Sequence, residues 1–109
     1  GDAAFGMPGL DLETAARSEL GTITVVLNNG VMTHYYDHFP HATEHWKSNE
    51  LGGIYSDTAK SLGAYGERVQ TPDQIGPALT RAMEASENGQ PSLLEMITKE
   101  EENISTYGR

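Results

Sequence analysis

The sequence predicts an α/β fold of three layers (α/β/α), with helices on both faces of a mostly parallel sheet. Three observations carry that expectation. Stretches of helical periodicity alternate with short apolar or β-branched runs, the order that right-handed crossovers between parallel strands produce. The run TITVVL at 22–27 is β-branched, and apolar through its second half, as suits a strand buried on both faces. The chain has 109 residues, 37% of them hydrophobic, which allows one domain around one small core.

Taken in order, residues 9–20 read as a helix. Leu10, Leu12, Ala15, Ala16 and Leu20 fall near one face, and Asp11 and Glu13 occupy a first turn whose dipole favours acids. Pro8 and Gly9 mark its start and Gly21 its end. The strand at 22–27 stops at Asn28-Asn29-Gly30. Residues 31–53 have no clean period. They hold Pro40, the single Trp46 and all four histidines, and read as a long irregular excursion with room for a short helix. Residues 55–62 look helical, closed by Gly63, and a short strand follows at 65–69. Thr71-Pro72-Asp73 starts another helix, with Pro in its first turn. Ile75, Ala78, Leu79, Ala82 and Met83 form its apolar stripe as far as about Ser86. Residues 88–91 turn the chain into a last strand at 92–98. Residues 99–109 form a polar tail in which Glu100, Glu101 and Glu102 make a solvated acidic run. The domain proper is expected to span residues 1–98.

Charge and composition remove several function classes. Sixteen acids against seven bases give a formal charge of -9, which argues against nucleic acid and anionic membrane surfaces as partners. A phosphate ligand stays open, because backbone N–H groups and a bound cation hold phosphate without Lys or Arg. With no cysteine there is no disulfide framework, thiolate metal site or cysteine nucleophile. No apolar run approaches the length of a membrane span, and no signal peptide is visible. A cytoplasmic protein is expected. Neither a G-x-S-x-G nucleophile elbow nor a Gly-rich phosphate loop ending in Lys-Ser or Lys-Thr occurs.

Two constellations remain. The first pairs Asp2 with Asn29. Ligands of parallel sheets sit at the carboxyl ends of strands; Asn29 lies at one such end, and a strand ahead of Gly1 would place Asp2 at another. Two short oxygen-bearing side chains there suit Mg²⁺ or Ca²⁺. The plain alternative is a frayed terminus at Asp2 and a simple turn at Asn28-Asn29-Gly30. The second constellation is His34, His38, His41 and His45, with Asp37 and Glu44 among them. On one helix they would share a side and suit zinc or nickel, but Pro40 would break that helix. Their alternatives are a polar loop, or a segment near a substrate entrance.

The motif Gly1-Asp2-Ala3, then 24 residues, then Asn28-Asn29, resembles the Gly-Asp-Gly…Asn-Asn signature of thiamine diphosphate-dependent enzymes. The segment GDAAFGMPGLDLETAARSELGTITVVLNN is similar to acetolactate synthase-like members of that group. So is GGIYSDTAKSLGAYGERVQTPDQIGPALTRAMEASENGQPSLLEMITKEE, which resembles their C-terminal end; residues 31–51 are the least similar. The resemblance implies a thiamine diphosphate-binding fold, here incomplete, as the C-terminal part of a diphosphate-binding domain that begins further upstream. It implies Mg²⁺ held by Asp2, Asn29 and the main-chain carbonyl of Val31, and a cofactor diphosphate approached by the backbone N–H groups of Ala3 and Ala4. Ala3 departs from the family's Gly, and its methyl would hinder a close approach or a positive φ.

The resemblance further implies a carboligase or decarboxylase acting on a 2-oxo acid or related carbonyl compound. Its activating Glu would come from a pyrimidine-binding domain, usually of a neighbouring subunit, in a homo-oligomer. The 109 residues alone are then expected to be inactive. Two other functions are weighed against this: a non-catalytic binding or assembly module, and an α/β domain that binds a metal through its histidine loop.

Overall fold

The computed structural model describes residues 1–101. Its sheet has three strands, β1 (Ile23–Asn28), β2 (Tyr65–Val69) and β3 (Ser92–Ile97). All pair in parallel, in the order β1-β3-β2, so the last strand in sequence is the central one. The helices are α1 (Asp2–Phe5), α2 (Asp11–Arg17), α3 (Tyr35–His38), α4 (Pro40–Trp46), α5 (Tyr55–Ser61) and α6 (Ile75–Glu87). A 3-10 turn at Pro72–Gln74 leads into α6. Thr71 closes that start with a capping box, its side chain and that of Gln74 satisfying each other's backbone N–H groups.

Alternation along β3 divides the core between two layers. Leu93 joins Leu12, Val26, Ala59 and Ala64 on one face, with Phe5, Tyr55 and Leu62 packed around them. Leu94 joins Val69, Ala78 and Ala82 under α6 on the other. This is the predicted α/β/α arrangement on a small, incomplete sheet.

Three local expectations are corrected. The strand at 22–27 is buried on one face only: Val26 is 2% exposed but Leu27 53%. Among the described strands β1 lies at the sheet's edge, and the buried residues of α6 pack on β2 and β3. The helix predicted over 9–20 is shorter. Its apolar face reduces to buried Leu12 and half-buried Ala15 and Ala16, while Leu10 and Leu20 are exposed, so neither leucine holds an outer turn against the sheet. The excursion at 31–53 contains two short helices. Pro40 ends the possibility of one helix but opens α4 at its first position, where its missing N–H costs nothing. In the predicted tail, residues 99–101 carry no regular structure; residues 102–109, including Glu102, lie outside the described residues.

Candidate functional site

At the carboxyl end of β1 the chain turns at Gly30, whose φ of +73° is costly for any residue with a Cβ. Two short acceptors stabilise the turn in the way Asn side chains do. Asn28 Oδ1 accepts from the Gly30 N–H at 3.0 Å, and Asn29 Oδ1 from the Val31 N–H at 3.2 Å. Asn29 also donates to Thr33 Oγ1 at 3.3 Å. Asp2 Oδ2 accepts from the same Gly30 N–H at 3.1 Å, across 28 positions of sequence. Asp2 is 3% exposed, so it is no frayed terminus.

The turn is also braced from outside. Met32 N–H donates to Asn49 at 2.7 Å and Leu51 N–H to Gly30 at 2.8 Å. No described backbone N–H donates to the Val31 carbonyl. The structure therefore brings Asp2, Asn29 and Val31 to one turn, and every donor atom there is a hard oxygen. A carboxylate, an amide oxygen and a main-chain carbonyl fit Mg²⁺, which binds few protein oxygens and completes its shell with phosphate and water.

Asp2 opens a four-residue helix. The Phe5 N–H returns to the Gly1 carbonyl at 3.1 Å, which leaves the amides of Asp2, Ala3 and Ala4 without an acceptor inside the helix. Ala3 is absent from the non-glycine residues with positive φ. Its right-handed helical backbone suits alanine, so a positive φ is no obstacle to alanine here.

A second set of residues supports the turn, and sequence reasoning did not find it. Glu95, on the central strand, is 0% exposed. Its Oε1 accepts from Asn28 Nδ2 at 2.7 Å; its Oε2 accepts from the Ser56 N–H at 3.1 Å and the Ser56 hydroxyl at 2.9 Å. Arg68 Nε lies 3.8 Å away. Burial pushes the Glu95 carboxyl up, but the Ser56 and Asn28 donors and the Arg68 charge together hold it below the usual carboxylate range. Tyr55 moves the other way: burial raises its hydroxyl, helped by the charges of Asp2 and Glu95. The signal in the sequence was the lone acid inside SLLEMI, since a charge in a buried strand needs partners.

A groove of about 540 Å³ opens beside the turn, lined by Gly1, Asn29, Thr33, His34, Thr98 and Lys99 among others. His34 is the one predicted histidine that reaches it. His34 has a φ of +65° and its Nδ1 sits 3.5 Å from Asp37. His38 ends α3, and His41 and His45 ride on exposed α4. Among the described residues no group of three or more His, Asp or Glu side chains is placed to hold a metal ion, so the histidine loop has no ligand set. Among the same residues no helix is long and apolar enough to cross a membrane.

Comparison with known proteins gives the same direction as the strand-end geometry. The family described as "Thiamine pyrophosphate enzyme, C-terminal TPP binding domain" matches residues 1–96. An acetolactate synthase large subunit of Mycobacterium tuberculosis is 31% identical over 102 residues, covering 90% of this chain and 18% of that protein. A mitochondrial acetolactate synthase catalytic subunit of Aspergillus candidus is 31% identical over 101 residues, covering 90% and 14%. The 2-hydroxyacyl-CoA lyase 1 of Homo sapiens is 26% identical over 112 residues, covering 89% and 18%. The chain thus spans less than a fifth of the length of these curated relatives.

Proposed function

Because the chain belongs to the family of C-terminal TPP-binding domains of thiamine pyrophosphate (thiamine diphosphate) enzymes, we propose that it holds the diphosphate end of that cofactor in an acetolactate synthase-like carboligase or decarboxylase. The substrate is a 2-oxo acid or a related small carbonyl compound. Asp2, Asn29 and the Val31 carbonyl hold Mg²⁺, and the free N–H groups of Ala3 and Ala4 meet the diphosphate. The observation that carries this reading is the Asp2 carboxylate seated on the Asn28–Val31 turn from 28 residues away.

Bound thiamine diphosphate supplies a nucleophilic carbon and an electron sink for carbonyl chemistry. The residues of this chain hold, orient and neutralise. Asp2 contributes a full negative charge to the cation, Asn29 a neutral oxygen, and Val31 a carbonyl fixed by the bracing of its neighbours. The pyrimidine-binding surface and the activating Glu come from another domain, contributed by a neighbouring subunit of a cytoplasmic homo-oligomer. Residues 1–98 act as the diphosphate domain, with 99–109 as its tail. On this reading the 109-residue chain by itself turns over no substrate.

The direct test substitutes Asp2→Ala and Asn29→Ala in the intact protein and titrates thiamine diphosphate with and without Mg²⁺. Both variants should lose the Mg²⁺-dependent part of the affinity while keeping the fold. Wild-type affinity in both would remove these residues from the site. Carbon dioxide release from pyruvate by the verified lone chain would overturn the assignment of the catalytic groups to another domain.

A further inference from the structure

We propose that Glu95 is a positioning residue for the strand-end turn: its buried carboxylate sets the orientation of the Asn28 amide and thereby the acceptor that faces Gly30. The proposal rests on the cofactor reading for its functional consequence, and on geometry alone for the relay itself.

The relay follows from donor and acceptor counting. An ionised carboxylate only accepts, whereas an amide presents a donor on one side and an acceptor on the other. Facing Glu95, Asn28 must offer Nδ2, and does so at 2.7 Å. Its Oδ1 is then committed to the opposite side, where it takes the Gly30 N–H at 3.0 Å. Gly30 shares that N–H with Asp2 Oδ2 at 3.1 Å. One polarity thus runs from the core to Asp2, and its source is a carboxylate whose hydrogen-bond partners among the described residues, Asn28 and Ser56, are not groove-lining residues.

Shape supports the same assignment. Gly66, on β2, pairs with Leu93 of β3, and a Cβ at Gly66 would lie 2.0 Å from the Ser56 carbonyl oxygen. The missing side chain lets the first turn of α5 press onto the sheet, where both Ser56 donors reach Glu95 Oε2. An apolar side chain at position 95 would fill the strand without the desolvation cost of a buried charge. It would also leave the Gly30 N–H alone to choose the orientation of the Asn28 amide.

Glu95→Gln tests the polarity at constant shape. Two Ser56 donors hold the oxygen side of the new amide, so its NH₂ faces Asn28 and turns that amide over, leaving the Gly30 N–H against a donor. Adding Asn28→Asp restores an acceptor on both sides. Ser56→Ala removes one donor to the carboxylate without reversing any polarity, and serves as the purely structural control. Two readouts are taken on the intact protein: hydrogen exchange of the peptide carrying Gly30 without cofactor, and affinity for thiamine diphosphate at fixed Mg²⁺.

Glu95→Gln should quicken Gly30 exchange and weaken affinity by about 10–100-fold, the range of outer-shell substitutions at metal sites. The double variant should recover most of both, and Ser56→Ala should lower the melting temperature while leaving affinity within about threefold of wild type. A folded Glu95→Gln protein with wild-type Gly30 exchange, or a double variant that recovers neither readout, would overturn the relay. A Gly30 response in a protein that takes up no thiamine diphosphate would support the relay and overturn the cofactor reading instead.

Discussion

The turn after β1 and the histidine segment that follows it make opposite use of their residues. The histidine segment has the richer ligand chemistry: four imidazoles within twelve positions, with carboxylates among them. Yet its helices α3 and α4 are short and exposed, their buried residues number none, and contacts such as His34 to Asp37 span only three positions. The turn has only amides, a carboxylate and main-chain groups. Its contacts reach 28 positions to Asp2 and 67 to Glu95, because the parallel sheet brings distant segments to one edge. Convergence, more than residue type, makes the site.

The most forceful way to break this comparison is at Asp2. Asp2→Ala should cost at least about a hundredfold in Mg²⁺-dependent cofactor affinity, beyond what loss of an outer partner costs at most metal sites; equilibrium titration measures it. An effect of twofold or less would put the turn on a level with the histidines.

Next in size is Gly66→Ala. The added methyl collides with the Ser56 carbonyl, and forcing α5 outward should destabilise by about 1–3 kcal/mol, as overpacking does. Denaturant unfolding reports it, and the lost Ser56 contacts to Glu95 add to the destabilisation.

Acid sharpens the contrast. The Glu95 carboxyl is held below its ordinary range in the folded state, and Arg81 does the same for Glu67. Such groups contribute fully above the unfolded value of about 4.3, and the contribution is lost as pH falls through the lower folded value. Unfolding midpoints should therefore drop as pH falls below about 4.3, less steeply in Glu95→Gln. Equal slopes in the two proteins would remove Glu95 from the acid response.

The smallest effect is expected in the histidine segment. His38, His41 and His45 replaced together by Asn should change stability by no more than about 0.5 kcal/mol, as exposed substitutions do. Metal content by elemental analysis should be unchanged. Loss of a bound metal would reverse the ranking of the two regions.

Much of the fold was legible because it depends on local signals. β2 lies where the sequence placed it, and β3 is one residue shorter at its end; the Thr71-Pro72 start is where its capping chemistry puts it. The helix ends at 9–20 were less legible, because Leu10 and Leu20 have helical spacing but nothing to pack against. In the site, Asp2, Asn29 and Val31 were reached by motif, whereas the coupling of the motif's Asn28 to Ser56 and Glu95 was not. Those three act through a buried network, and its partners are far apart in the chain.

By itself the sequence determined the alternation of helices and strands, the turn at Asn28–Gly30 and the break at Pro40, since periodicity, Asn-Gly chemistry and a missing N–H all act within a few residues. Strand order β1-β3-β2, the open face of β1, the burial of Asp2 and the seating of Glu95 beneath the turn were decided only by the tertiary structure. Each depends on which surfaces meet across the sheet. A buried carboxylate becomes tolerable only where folding has already gathered its donors.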